Sequence, residues 1–285
     1  MASARRAATR TPFGLFVRSG AGVAGALMIT TMVLASLFAP LLAPFDPLEL
    51  IPADRLQGPS TVHPLGTDQY GRDTFSRILY GGRSSLAVAA LSILFAASIG
   101  SALGLVGGYF RGWLDGLMMR ITDVLLSFPA ILLAIALLAF FGGGFWNLVF
   151  AIGVIYIGPF ARVARAAALA VREEPYVEAG RALGATNGRI LLRAILPNAA
   201  APLLVEVTLR LAYAILAEAS LSFLGLGTQP PTPSWGQMIA EGRRFLALSP
   251  WATVAPGLAI MLSVLGFNLL GDGLRDVLDP RLRRR

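Results

Sequence analysis

Long apolar runs separated by short polar segments dominate the sequence. A helix that spans a bilayer needs about 20 mostly apolar residues, and six segments meet this requirement. They are residues 20–43, 84–108, 121–141, 145–168, 200–224 and 251–270. The pattern therefore predicts an all-α integral membrane protein with six transmembrane helices.

The first apolar segment follows the basic residues Arg5, Arg6, Arg10 and Arg18. This arrangement is compatible with a cleaved signal peptide or with an uncleaved anchor. The apolar part, about 23 residues, exceeds the usual 7–15-residue core of a signal peptide. Its length favours an anchor that remains as the first transmembrane helix.

Composition supports a membrane environment. Hydrophobic residues make up 55% of the chain and charged residues 14%, with a mean hydropathy of +0.68, whereas soluble domains contain about 25% charged residues. The chain has no cysteine, which excludes disulfides and thiolate metal sites, and it has one histidine, His63. The net charge of +8 is compatible with nucleic-acid binding or with basic cytoplasmic loops. In so apolar a chain it favours the loops, and we expect no nucleic-acid partner.

All 24 basic residues are arginines, and their distribution predicts the orientation. With a cytoplasmic N-terminus, seventeen arginines fall on the cytoplasmic side and six on the other side, and Arg210 lies within a helix. Cytoplasmic loops of membrane proteins carry the excess of positive residues. Both termini are therefore predicted to be cytoplasmic, as is the polar stretch at 173–198.

This polar stretch, EEPYVEAGRALGATNGRILLRAILPN, predicts a first short helix. Pro175 suits the first turn of a helix, where its missing N–H has no partner in any case. Glu173 and Glu174 lie at the positive end of that helix dipole. The helix would run through Leu183, and Gly184 fits a left-handed C-terminal cap.

A second helix is predicted to follow the glycine turn. Thr186 or Asn187 can cap its start, and Pro197 marks its expected end. The stretch would then be two short helices between two spans.

Small residues on the first short helix would let another protein approach its backbone. Tyr176, Gly180 and Leu183 share one face by helical spacing, and Ala179 beside them adds little bulk. This surface could be a docking element for a partner, or a solvated loop with incidental helicity.

The same stretch resembles the EAA motif of bacterial ABC importer permeases. That motif is E-A-A, three residues, G, nine residues, then I-x-L-P. The matching residues are Glu178, Ala179, Gly184, Leu196 and Pro197. Gly180 replaces the third-position alanine, and Ala194 stands where the motif has isoleucine.

Three further segments resemble the dipeptide/oligopeptide/nickel permease family, in particular its second, C-type subunit. They are HPLGTDQYGRDTFSRILYGGRSSL at 63–86, EASLSFLGLGTQPPTPSWG at 218–236 and LGDGLRDVLDPRL at 270–282. The resemblance implies a type I ABC importer permease fold with cytoplasmic coupling helices, in which Tyr176, Gly180 and Leu183 join the matched residues at an ATPase groove. The expected units are 1–83 (N-terminus, first helix and outer segment), 84–271 (a five-helix core including 173–198) and 272–285 (a cytoplasmic tail).

The resemblance also implies partners and a location. The partners would be a homologous second permease subunit, two ABC ATPases and a periplasmic or lipid-anchored solute-binding protein, in a bacterial inner membrane. A phosphate-binding P-loop needs a lysine, and this chain has none. We therefore expect no cofactor on this chain, with ATP and Mg²⁺ held by the ATPases, and no enzymatic activity of its own. A metal site at His63, Asp68 and Asp73 is the weaker interpretation of a segment that favours turns and helix caps.

Charged residues in the fifth span leave two questions open. Ionisable groups within a span usually face protein or a water-filled path. Glu206 and Arg210 are four residues apart and can form a structural ion pair. Glu218, with Ser222 nearby, could line the translocation pathway or hydrogen-bond to a neighbouring helix. The same charges would serve the alternative function, an ion- or proton-coupled secondary transporter.

Overall fold

The computed structural model describes residues 14, 16, 17 and 19–278. The basic residues Arg5, Arg6, Arg10 and Arg18, and the arginines after residue 279, lie outside the described part, so the structure does not bear on them. Within the described residues, helices and their connections make up the chain, and no β-strand is present. This confirms the all-α class.

Nine helices carry the architecture of the described part. They are α1 (Gly20–Leu37), α2 (Thr74–Phe110), α3 (Gly112–Ser127), α4 (Ala130–Phe141), α5 (Phe145–Arg172), α6 (Pro175–Ala182), α7 (Asn187–Phe223), α8 (Trp235–Gly242) and α9 (Trp251–Leu278). Five of them, α1, α2, α5, α7 and α9, are long and apolar enough to cross a membrane. Shorter helical turns occur at Ala39–Leu42, Pro52–Asp54 and Arg243–Phe245.

The predicted third span is broken. α3 and α4 meet at an angle of 89°, and the two together count as one bent span by length and composition. The break lies at Phe128, whose backbone is extended, immediately before Pro129. A residue before proline is pushed out of the helical region, and Pro129 has no N–H for the helical ladder. One continuous helix across 121–141 was therefore the wrong expectation, although the six apolar segments remain.

α2 starts ten residues earlier than the apolar pattern predicted. The Asp73 side chain accepts a 2.7 Å hydrogen bond from the backbone N–H of Ser76 and so caps the helix. Asp73 is itself buried. The helix thus begins in the polar outer segment, where hydropathy alone gives no signal.

The closest helix packing joins α2 to α5. Gly100, Gly104 and Gly108 recur every fourth residue on α2 and face α5. A Cβ atom at Gly100 would lie 2.5 Å from the carbonyl oxygen of Ile157, and one at Gly104 would overlap that of Ala161. Small residues in such register let two backbones come into contact within a membrane. This pair forms the centre of the fold, with α7 packed against it.

The first and last spans are joined by a second glycine contact. A Cβ atom at Gly25 of α1 would lie 2.5 Å from the backbone nitrogen of Leu270 and 2.6 Å from the carbonyl oxygen of Gly266, both on α9. α1 has few other buried residues. Gly22 of α1 lies similarly close to Gly273 of α9, so close glycine contacts hold α1 against α9.

Replacing Gly25 by leucine should loosen α1 from the core. Overpacking of this kind costs about 1–3 kcal/mol, so the midpoint of thermal unfolding of the purified complex should fall. Gly20→Leu is the matched control, because a Cβ atom there meets nothing within 4 Å. Equal unfolding midpoints for the two variants would show that the contact does not hold α1.

Candidate coupling surface

The polar stretch forms a helix, a glycine turn and the start of a second helix, as predicted. α6 begins at Pro175, and Gly184 follows its end with a φ of 78°. This left-handed conformation suits glycine because other residues meet a Cβ clash there. The Thr186 side chain accepts a hydrogen bond from the backbone N–H of Arg189, which caps α7.

The second helix does not end near Pro197, contrary to the prediction. It continues as α7 from Asn187 into the fifth span. A π-helical turn at Leu191–Ile195 immediately precedes the proline. Proline removes one backbone donor and crowds the preceding turn, and single π turns are one way for a helix to absorb such a disruption. The second helix of the pair is consequently continuous with the fifth span.

Buried side chains fix this helix pair to the core. Val177 of α6 and Ile190 and Ile195 of α7 are 2%, 5% and 0% exposed. They pack in one apolar cluster with Leu105 of α2 and Ala164 of α5. A movement of the pair must therefore act on the ends of α2 and α5 that pack against it.

Tyr109, at the end of α2, reinforces this connection with polar contacts. Its hydroxyl donates a 2.7 Å hydrogen bond to Asn187 Oδ1, and its carbonyl oxygen accepts one of 2.6 Å from Arg172 Nη1. The Arg181 guanidinium lies 5.2 Å from the centre of its ring. One aromatic residue thus contacts α5, α6 and α7.

The opposite side of the helix pair is exposed. We use the name coupling surface for its exposed or half-buried residues Tyr176, Glu178, Ala179, Gly180, Leu183 and Gly184. Leu183 is 88% exposed and Tyr176 is 51% exposed, and a Cβ atom at Gly180 would have no neighbour within 4 Å. Leu196 and Pro197 are also exposed but lie beyond the π turn, on α7. Two large apolar side chains on an open, small-residue surface can bind a groove on another protein.

Glu206 and Arg210 contact each other on α7. Arg210 Nε lies 2.6 Å from Glu206 Oε1, and both side chains are largely shielded. The guanidinium also lies near the rings of Tyr156 and Tyr213. The geometry of an ion pair is present, and its structural role stays a prediction.

Glu218 is fully buried, which bears on the two alternatives for it. Its Oε1 accepts a 2.7 Å hydrogen bond from Ser222, and Ser85 on α2 and Ser234 before α8 lie beside its carboxyl group. Ser222 is 3% exposed. In this conformation neither residue reaches a surface that a solute could contact. The hydrogen-bonded geometry is thus present, and the assignment of Glu218 and Ser222 to the translocation pathway stays a prediction.

The outer residues considered for a metal form caps and turns instead. His63 Nδ1 lies 2.9 Å from Asp73 Oδ1, and Asp73 caps α2. Asp68 accepts hydrogen bonds from the backbone N–H groups of Tyr70 and Arg72. Turns and caps are thus what this segment forms.

Sequence reasoning missed a buried ionic network at the outer side. Asp68 pairs with both Arg72 and Arg77, and each arginine also reaches Glu241 of α8, at 2.7 and 3.2 Å. Trp235 is also buried there, with its ring N–H donating to the Ile78 carbonyl oxygen at 3.0 Å. Glu241 lies more than 150 residues from these arginines and gives no periodic signal, although the three charges Asp68, Arg72 and Arg77 within ten residues could have suggested pairing.

Comparison with known proteins places this geometry in a family. Residues 100–284 match the model of the binding-protein-dependent transport system inner membrane component, and residues 15–59 match the N-terminal transmembrane domain of oligopeptide transport permease C.

Full-length relatives are similar to almost the whole chain. The dipeptide transport system permease protein DppC of Alkalihalophilus pseudofirmus is 45% identical over 96% of this chain and 90% of that protein. The glutathione transport system permease protein GsiD of Pectobacterium atrosepticum is 46% identical over 94% of this chain and 89% of that protein.

A solved structure shares the fold. A chain of the MetNI methionine ABC transporter, in an inward-facing conformation, matches with a TM-score of 0.58 and 21% identity. The match covers 71% of this chain and 96% of that chain.

Proposed function

The chain belongs to the family of binding-protein-dependent transport system inner membrane components and is a permease of an ABC importer, and on this premise we propose that it imports peptides. In this proposal it forms half of a translocation pathway in a bacterial inner membrane, with both termini in the cytoplasm. A homologous second permease forms the other half. Two ATPases and a periplasmic or lipid-anchored solute-binding protein complete the assembly.

The coupling surface is the observation that carries this proposal. It exposes Tyr176 and Leu183 while Val177, Ile190 and Ile195 anchor it to the core. Burying those two exposed side chains in an ATPase groove would remove apolar area from water, which favours association. Since α7 runs from this surface into a span, closure of the ATPases would act directly on the pathway and alternate its access.

Peptides are the proposed substrates because the relatives named above carry dipeptide and glutathione transport in their names. The chain has no lysine for a P-loop, so ATP and Mg²⁺ would bind to the partner ATPases. With one histidine and no cysteine, the chain has few of the residues that commonly act as catalytic bases or nucleophiles.

Uptake into proteoliposomes tests the proposal. The chain, assembled with its permease, ATPase and binding-protein partners, should accumulate a labelled dipeptide when ATP is supplied, and should not do so with a non-hydrolysable ATP analogue. A parallel arm replaces ATP with a proton or sodium gradient. Uptake that follows the gradient and ignores ATP would refute the importer assignment and support the alternative of a secondary transporter.

A further inference from the structure

An open cavity of about 410 Å³ lies between α5, α7 and α9. Its walls include the apolar side chains of Val163, Val205, Leu209 and Leu278, and the charged side chains of Glu206 and Arg275. Cavities of about 300–1,000 Å³ with apolar walls and a few placed polar groups are typical of small-molecule sites. The Glu218 side chain, by contrast, is fully buried, and the charges of the outer ionic network pair with one another.

The position of the cavity connects it with the coupling surface. Val163 lies nine residues before the end of α5, roughly 14 Å along a helix, and α6 follows directly after that end. Arg275 and Leu278 belong to the last turn of α9. The cavity therefore lies in the inner half of the protein, near the ends of these helices. A charged residue such as Glu206 within a span faces protein or a water-filled path rather than lipid.

Both charged groups of the cavity have capacity for a ligand. Glu206 Oε1 accepts the bond from Arg210, and no other hydrogen bond to that carboxylate occurs within the described residues. Arg275 is exposed and forms no ion pair with any residue that the structure describes. One wall thus offers a carboxylate oxygen and another a guanidinium, with apolar surface in between.

We propose that this cavity binds peptides during their release, with the terminal ammonium group on Glu206 and the terminal carboxylate on Arg275. The inference rests on the proposed peptide import and adds a site to it. Every linear peptide carries these two opposite charges at neutral pH, and an arginine binds a carboxylate with two parallel hydrogen bonds. The apolar walls around Val205 and Leu209 have no polar group that would select a particular side chain. Such a site recognises the two terminal groups of a peptide and can therefore bind peptides of different sequence.

Site-specific photocrosslinking tests the location. The assembled complex is placed in nanodiscs without its solute-binding protein, so that selection by that protein plays no part. A photoreactive phenylalanine analogue replaces Leu209 in the cavity or, as the control, Leu204. Leu204 lies five residues earlier on the same helix, is 52% exposed and does not line the cavity. A labelled dipeptide should crosslink saturably at position 209 and only in proportion to its concentration at 204.

The charges are tested by matched peptides. Arg275→Gln should weaken crosslinking of a free dipeptide about tenfold and leave its C-terminally amidated form unchanged. Glu206→Gln should likewise weaken crosslinking of the free dipeptide and leave that of its N-acetylated form unchanged. The amide oxygen of the glutamine can still accept the hydrogen bond from Arg210. Arg120→Gln, an exposed arginine outside the cavity, should affect neither peptide.

Failure of this inference is distinguishable from failure of the proposed function. If the wild-type complex imports dipeptides with ATP but the two photoreactive variants crosslink equally at positions 209 and 204, the site is wrong and the importer stands. Equal effects of Arg275→Gln on the free and amidated peptides would also overturn it, since Arg275 would then serve another contact, such as the second permease. Absence of ATP-driven peptide uptake would overturn both.

Discussion

A leucine in place of Gly104 is expected to prevent assembly of the permease. Gly104 lies against the backbone of α5, and even a Cβ atom there would overlap the Ala161 carbonyl oxygen. A rigid backbone neighbour cannot move aside as a side chain can, so α2 and α5 would have to separate. We expect a cost of at least about 3 kcal/mol, the upper end of usual overpacking costs, and little folded complex after purification. The yield and elution profile in size-exclusion chromatography measure this.

Gly257→Leu provides the control within another span. A Cβ atom at Gly257 of α9 meets nothing within 4 Å, and both variants gain the same helix propensity from losing a glycine. Gly257→Leu should therefore assemble normally. Normal assembly of Gly104→Leu would mean that the contact between α2 and α5 is looser than the structure shows.

Five spans and the helix pair could be predicted because their causes are local in sequence. About 20 apolar residues are needed to cross the bilayer, and five of the six runs of that length became single helices. Gly184 and Thr186 set the turn by their own backbone and side-chain preferences. Such features require no knowledge of which segments meet in space.

The bend at Pro129 and the continuation past Pro197 show how local rules can mislead. At Pro129 the apolar run continued and suggested one helix, yet the chain bends by 89° there. At Pro197 a stop was expected, but the π turn before it let α7 continue. Whether a helix ends at a proline, bends there or continues past it depends on the packing of the adjacent turns.

Tertiary contacts account for the rest of what the sequence did not reveal. Glu218 is buried beside Ser85 and Ser234, which come from two other parts of the chain. The pairing of Arg77 with Glu241 joins residues 164 positions apart. The four-residue spacing of Gly100, Gly104 and Gly108 was present in the sequence. Which helix these glycines face was not identifiable without the fold.

The coupling surface leads to the last prediction, that exchanging Leu183 for glutamate separates the permease from its ATPases. Leu183 is 88% exposed in this chain, so the substitution leaves the permease fold intact, and a charge in an apolar groove is costly. Loss of a well-buried apolar contact at an interface typically costs about 2 kcal/mol, or roughly thirtyfold in affinity. We expect the ATPases to dissociate during purification and ATP-driven uptake to fall by at least that factor.

Two further variants show whether this effect belongs to the coupling surface. Leu248→Glu places the same charge at a 71% exposed leucine of the outer segment between α8 and α9, and it should leave the ATPases bound. Gly184→Pro keeps the surface side chains but forbids the left-handed turn at φ 78°, so it should reduce uptake even where Leu183 is intact. If the Leu183→Glu complex retains its ATPases and its uptake, Leu183 is not part of the contact with the ATPases. Loss with Gly184→Pro alone would then indicate that the shape of the turn, and not the apolar contact, carries the coupling.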